Sequence, residues 1–170
     1  MKRLLCLAAL AGLLSAGAHA QTTMQFPTTP WGGFAPGTVE CGWLKGANFN
    51  STADQAITLS VPTATYWISN IEISSPSVSM TTAVGGFYSG ASKSGVTLVA
   101  NTQVYSALTT NAANTTGNFL QATLTTAGNT TEFSGPTQGS NAQTTIYFAL
   151  TTAQGAAATA NIRVYCHPHY

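Results

Sequence analysis

The sequence predicts an all-β fold: an antiparallel β-sandwich of jelly-roll or immunoglobulin-like type with about eight short strands. Three observations lead to this prediction. Apolar and polar residues alternate in short segments, turn-forming residues separate these segments at regular intervals, and no segment shows a convincing helical period. The polar residues are mostly threonine, serine, asparagine and glutamine, and threonine is β-branched and favours strands.

The predicted strands of the first half are bounded by proline, glycine and serine. Ile57, Leu59 and Val61 occupy one face of an alternating segment that Pro62 ends. Two further segments flank the turn-rich stretch SGASKSG and are therefore predicted to form a hairpin. The strands predicted in this half are 38–44, 56–61, 65–73, a short piece at 78–80, 84–88 and 96–100.

The second half is less uniform. Residues 101–110 fit either one helical turn or an extended link, and residues 127–141 are predicted to form a loop rich in glycine, asparagine, threonine and serine. Alternation returns in three segments, and Ile162, Val164 and Cys166 share one face of the last. The strands predicted in this half are 119–124, 144–150 and 159–166.

The first twenty residues, MKRLLCLAALAGLLSAGAHA, have the three parts of an export signal. Two basic residues precede an apolar core, and the small residues of Ala18-His19-Ala20 predict cleavage before Gln21. The apolar core is shorter than the roughly 20 residues that a membrane span needs. We therefore expect residues 1–20 to be removed, no membrane span to remain, and the protein to reach the periplasm or exterior of a bacterium.

The remaining chain divides into two parts. Residues 21–37 contain three prolines and three glycines among aromatic side chains, which predicts an extended arm. Residues 38–170 are expected to form a single β-sandwich domain, because this length suits one core.

Cysteine usage predicts one disulfide. Cys6 leaves with the signal, so the exported chain keeps Cys41 and Cys166, and an even pair in an oxidising compartment is expected to bond. The alternative is a metal site in the terminal sequence RVYCHPHY, where Cys166 lies beside His167 and His169. If the disulfide forms, these two histidines remain on a short tail and are only weak metal candidates, so no metal or other cofactor is predicted.

The charge balance excludes nucleic acid as a partner. Only 5% of residues are charged, and after signal removal three basic residues face four acidic ones, a net charge of −1. So few cations cannot neutralise a polyphosphate backbone.

The distribution of ionisable residues predicts a non-enzymatic protein. The acidic residues are isolated, no nucleophile or metalloprotease motif occurs, and the exported chain has histidines only at its C-terminus. The leading hypothesis is a structural or surface-recognition role, with self-association or a cell-surface, glycan or virion partner. The second is a carbohydrate-binding or adhesin module using Trp31, Trp43 and Trp67, which could instead be core aromatics. The third is a small hydrolase using the terminal histidines.

Two longer stretches carry a family resemblance. TTAVGGFYSGASKSGVTLVANTQVYSALTT and IYFALTTAQGAAATANIRVY resemble small uncharacterised proteins encoded in phages and prophages of proteobacteria, usually near virion structural genes. This resemblance implies a β-sandwich on a particle surface, as a decoration or fibre-like component, and it implies no catalytic residues. The export signal, the aromatic arm and the terminal cysteine depart from that family's pattern.

Overall fold

A computed structural model of the chain describes residues 37–110 and 119–169. The predicted export signal and the predicted arm as far as residue 36 lie outside these residues. The described chain forms two antiparallel β-sheets, which confirms the predicted all-β sandwich.

The first sheet brings the first and last strands together. Its strands are β1 (Val39–Asn48), β3 (Thr65–Ser74), β6 (Phe119–Gln121), β7 (Phe133–Ser134) and β9 (Thr159–His169). Their order is β1-β9-β3-β6, with β7 also paired to β3. Cys166 of β9 is therefore opposite Val39 on one side and Ile68 on the other.

The second sheet contains the predicted hairpin. Its strands are β2 (Gln55–Thr58), β4 (Val84–Gly90), β5 (Ser94–Val104) and β8 (Thr145–Thr152), in the order β2-β8-β4-β5. β4 and β5 pair directly, as the stretch SGASKSG predicted. The backbone reverses at Ser92 and Lys93, whose φ angles are 56° and 58°.

The strand pairing identifies the sandwich as a jelly roll. The strands form nested antiparallel pairs, β1 with β9, β2 with β8, β3 with β6, and β4 with β5. This pattern is that of one long two-stranded ribbon rolled into two sheets, as in double Greek-key jelly rolls. In an immunoglobulin sandwich the first two strands share a sheet, whereas β1 and β2 lie in different sheets here.

The core lies between the sheets and is aromatic at its centre. The ring centre of Phe148 is 4.9 Å from that of Phe49 and 5.0 Å from that of Phe87. The ring centres of Phe49 and Tyr105 are 5.2 Å apart. From β9 the core receives the three residues that alternation predicted to share a face, Ile162, Val164 and Cys166, all fully buried. Burial of this apolar surface is the main favourable contribution to folding.

Hydrogen bonds connect the two sheets at both edges. On one side, the Ser60 amide donates to the Cys41 carbonyl at 2.7 Å, and Gly42 forms a bridge with Leu59. A Cβ atom at Gly42 would lie 2.7 Å from Leu59 Cδ2 and 3.2 Å from the Thr58 carbonyl oxygen, so glycine makes this close approach easier. On the other side, the segment after β6 bridges the sheets, because the Ala122 amide donates to Ile71 and the Thr125 amide to Leu98, each at 2.9 Å.

Three local predictions were wrong. The predicted strand at 78–80 is irregular chain, in which the Met80 amide donates to the Leu108 carbonyl at 2.8 Å and the Met80 side chain is buried. The predicted 127–141 loop contains a short helix, α1 (Thr126–Thr130), which Thr125 caps by accepting from the Gly128 amide. A 3-10 segment follows at Pro136–Asn141.

The third wrong prediction concerns the C-terminus. The last strand was predicted to end at Cys166, but β9 continues through Pro168 to His169. β1 pairs with β9 only as far as Cys166, whereas β3 continues alongside, and Pro168 is opposite Tyr66. Proline is tolerated there because β9 has become an edge position.

Candidate recognition face

The surface of the first sheet opposite the core collects the chemically distinctive side chains of the chain. Side chains alternate between the two surfaces along a strand, and residues opposite each other in register share a surface. Alternation with the buried residues of β9, together with the strand register, therefore defines this surface. We call it the outer face; it carries Glu40, Trp43, Trp67, Asn70, Glu72, Arg163, Tyr165, His167 and His169.

One end of the outer face is built around Trp43. This side chain is 53% exposed and is opposite Arg163 in register. The guanidinium carbon of Arg163 lies 5.9 Å from the centre of the indole ring, a weak cation–π contact at this exposure. Arg163 Nε is 3.8 Å from Glu40 Oε2, and Glu72 is opposite Arg163 on the other side. Trp43 therefore lies beside charged side chains, and much of its ring is open to solvent.

The other end is built around Trp67. The imidazole of His167 stacks on the indole with ring centres 4.3 Å apart and an angle of 18° between the rings. His169 approaches the same indole edge-on at 5.7 Å. Gly37 packs against His167, because a Cβ atom there would be 3.2 Å from His167 Cε1. These contacts hold the partly buried Trp67 ring in one orientation.

His169 also joins the outer face to the loop before β7. Its Nδ1 atom lies 2.8 Å from Oε1 of Glu132. This hydrogen bond, followed by one from the Thr65 side chain, lowers the pKa of Glu132 below its usual value of 4.5. Glu132 is consequently ionised under all but acidic conditions.

Most of the acidic, arginine and histidine side chains of the described residues gather here. Three of the four acids, Glu40, Glu72 and Glu132, lie on or beside the outer face, as does the single arginine. Tyr165 of β9 is opposite Glu40 on one side and Asn70 on the other. Burial, followed by the negative charge of Glu72, raises the pKa of Tyr165. The Tyr165 hydroxyl therefore remains protonated and can donate a hydrogen bond.

The outer face also concentrates unsatisfied hydrogen-bonding atoms. Four buried side-chain atoms of the described residues lack a hydrogen-bond partner, and three of them, Asn70 Oδ1, Arg163 Nε and His167 Nδ1, belong to this surface. The fourth is the Tyr88 hydroxyl in the second sheet. Asn70 is only 6% exposed and lies opposite Tyr165 at a β-bulge. Unpaired buried polar atoms are costly and often mark functional sites.

The structure confirms the predicted disulfide. Cys41 and Cys166 are bonded, with Cα atoms 5.7 Å apart, and they join the adjacent strands β1 and β9 from the core side. Cys166 is thereby unavailable as a metal ligand. Among the described residues, no group of three or more histidine, cysteine, aspartate or glutamate side chains could hold a metal ion.

The placement of the two terminal histidines was predicted wrongly. His167 and His169 were expected on a tail beyond the disulfide, but both belong to β9 and contact Trp67. Trp43 and Trp67 lie on the same face, whereas Trp31 lies outside the described residues.

Sequence reasoning missed four residues of this region. Arg163 and Tyr165 follow directly from the alternation that identified the buried face of β9, so their surface could have been predicted. Asn70 could not, because its position depends on a bulge opposite Tyr165. Glu132 is distant from His169 in sequence, so only the folded chain brings them together.

Comparisons with known proteins add no assignment. No family model, curated protein or solved structure matches this chain. Within the described residues, no helix is long and apolar enough to cross a membrane.

Proposed function

We propose that this protein is a non-enzymatic, exported β-sandwich that recognises a ligand on a cell or particle surface. The observation that carries the proposal is the outer face, where two tryptophans, an arginine and unpaired polar atoms share one sheet surface. Tryptophan, tyrosine and arginine are the side chains that most often dominate binding energy at interfaces. Among the described residues, both tryptophans and the single arginine lie on this face.

The sheet edges favour recognition by a face over assembly by strand addition. Strand addition needs a row of free backbone groups at a sheet edge. Here part of the β1 edge bonds to residues 59 and 60, and part of the β5 edge bonds to residues 124 and 125. The outer face, by contrast, presents side chains rather than backbone.

The arrangement of ionisable groups supports a binding role over catalysis. His169 Nδ1 is engaged by Glu132, and Trp67 lies against the same imidazole. A hydrolase of the serine type would also need a nucleophile hydrogen-bonded to the other imidazole nitrogen. No such bond from a described serine, threonine or cysteine accompanies the His169–Glu132 pair.

Export and a virion-like ancestry are compatible within this proposal. The leader-like N-terminus supports export, and a disulfide is stable in an oxidising compartment. Jelly rolls occur both in viral capsids and in lectins, so the architecture alone does not choose between a particle component and an adhesin. Both roles use surface recognition.

A binding assay on intact surfaces tests the proposal. The oxidised full-length chain, fluorescently labelled, is incubated with a panel of bacterial cells and virions. We expect saturable binding that the Trp43→Ala/Arg163→Ala variant weakens by roughly tenfold or more, as for other interface anchors. Tyr147→Ala serves as the control, because Tyr147 is an aromatic residue on the outward side of the second sheet, opposite Tyr88.

Two outcomes would contradict the proposal. Absence of binding to every surface in the panel would remove the recognition role. Equal weakening by Tyr147→Ala and by the outer-face variant would remove its assignment to this face. Circular dichroism of each variant checks that the sandwich remains folded.

A further inference from the structure

The outer face has the features of a saccharide site. Resting on the function proposed above, we infer that its ligand is an uncharged oligosaccharide that lies along the strip from Trp43, past Arg163, Tyr165 and Asn70, to Trp67. Three properties lead to this inference: the spacing of the indoles, the unpaired polar atoms between them, and the charge of the surface.

The two indoles are too far apart to contact the same sugar ring. Trp43 and Trp67 are opposite Arg163 and His167 of β9, and they lie on the strands at either side of it. The two tryptophans are therefore four residues apart along the strand direction and two strand spacings apart across the sheet. At ~3.3 Å per residue and ~4.8 Å per strand, their separation is roughly 16 Å. This distance is longer than one pyranose ring, so the two indoles would contact rings that are separated by others along an oligosaccharide.

The Trp43 ring is open to solvent beside polar groups, which suits a sugar, and one face of the Trp67 ring is covered by His167. The C–H face of a pyranose can pack on an aromatic ring while its hydroxyls reach the surrounding polar side chains. Trp43 is 53% exposed, and Trp67 is held by the stacked His167 imidazole. A ring held in place before binding loses little conformational freedom when the ligand arrives.

Two polar atoms without a hydrogen bond lie between the indoles, and one of them, Arg163 Nε, has the Glu40 carboxylate 3.8 Å away. Asn70 Oδ1 can only accept and Arg163 Nε can only donate. A hydroxyl group does both, so neighbouring sugar hydroxyls can satisfy the two atoms once the side chains turn toward the ligand. A lipid chain or an apolar peptide face would give neither atom a hydrogen bond.

Charge separates neutral saccharides from acidic ones. The carboxylates of Glu40, Glu72 and Glu132 outnumber the two cations nearby, Arg163 and the exposed Lys45 of β1, so this region is negative when its histidines are neutral. Like charges across an interface oppose binding. Saccharides with carboxylate, sulfate or phosphate groups are therefore disfavoured.

Titration calorimetry with defined probes tests the inference. The oxidised full-length chain is titrated with neutral oligosaccharides of glucose, galactose and N-acetylglucosamine, and with uronic-acid oligosaccharides of similar length. We expect at least one neutral series to bind and the uronic acids to bind about tenfold more weakly or not at all, a difference of ~1.4 kcal/mol or more. Stronger binding of the acidic series would overturn the inference.

Asn70→Leu distinguishes a ligand-binding residue from a structural one. Leucine has a similar size and removes a buried unpaired carbonyl, so stability should stay unchanged or increase. Affinity for the neutral oligosaccharide should fall about tenfold or more, as it should in Trp43→Ala, while Tyr147→Ala binds normally. Unchanged affinity in both Asn70→Leu and Trp43→Ala would overturn the assignment.

A second assay separates this inference from the proposed function. Cells that bind the protein are treated either with periodate, which cleaves vicinal diols of sugars, or with protease. Loss of binding after periodate supports the saccharide. Binding that survives periodate but not protease would overturn the saccharide while the recognition role stands. Binding to no cell and no oligosaccharide would contradict both.

Discussion

At the residue scale, neighbouring side chains hold the distinctive groups of the outer face in place. His167 stacks on Trp67, Arg163 lies over Trp43, and His169 hydrogen-bonds to Glu132. Individually these contacts are weak, because water screens exposed ion pairs and cation–π contacts. These contacts orient the side chains of the outer face and add little to the stability of the fold.

The Glu132–His169 contact predicts a specific acid dependence. The pKa of Glu132 is lowered in the folded chain, chiefly by its hydrogen bond to His169. A lowered folded pKa gives stability that is fully present above the unfolded value of 4.5 and is lost as pH falls through the folded pKa. We expect urea unfolding at neutral pH to show the wild type slightly more stable than Glu132→Gln. This difference should decline only when the pH falls below the unfolded pKa of 4.5.

His169→Ala is the matched control for this measurement. It removes the partner and leaves the carboxylate, so its difference from the wild type should decline over the same acidic range. A difference between the wild type and Glu132→Gln that stays constant through that range would contradict the proposed role of this hydrogen bond.

At the element scale, the pairing of β1 with β9 is reinforced covalently. Cys41 and Cys166 are 125 positions apart in sequence, yet they belong to adjacent strands and both are buried. The bond therefore closes a loop that includes almost the whole sandwich. It also ties the central strand of the outer face to the strand that carries Trp43.

Removal of this disulfide should produce a large loss of stability. For a loop of this length the chain-entropy model gives about 4–5 kcal/mol. We expect Cys41→Ala/Cys166→Ala to lower the free energy of unfolding by an amount of this order, measured by urea denaturation at neutral pH.

Reductant provides the internal control for the disulfide. It should destabilise the wild type and leave the double-alanine variant unchanged. A wild type whose unfolding midpoint does not move under full reduction would contradict a stabilising role for the bond.

At the scale of the whole molecule, the edges of the sandwich connect the two sheets, and the outer face of the first sheet presents side chains. At both lateral edges of the sandwich, hydrogen bonds connect the two sheets. The outer face of the first sheet is left to present tryptophan, arginine and carboxylate side chains. Because the chain has few charged residues elsewhere, this region is chemically distinct.

Export is the prediction that belongs to the whole chain. Expressed with its own leader in a Gram-negative host, the protein should be recovered outside the cytoplasm with Gln21 as its first residue and the disulfide formed. Mass spectrometry of periplasmic, culture and cytoplasmic fractions measures both properties. An uncleaved, reduced chain confined to the cytoplasm would contradict export.

Much of the fold could be predicted from local sequence patterns. The alternation of Ile162, Val164 and Cys166 identified the buried face of β9, and SGASKSG identified the β4–β5 hairpin. With two cysteines left after the predicted leader, the Cys41–Cys166 pair was also predictable. The jelly-roll and immunoglobulin-like alternatives remained open, because both use the same alternating strands.

The sequence by itself determined most of the strands, the inward side of β9 and the disulfide, because these depend on alternation between neighbouring residues and on cysteine number. Only the tertiary structure decided the strand order, and with it the outer face. Trp43, Trp67 and Arg163 come from three strands that pair through distant contacts, and Asn70 lies at a bulge. Such pairing reflects the packing of the whole core, which no local segment encodes.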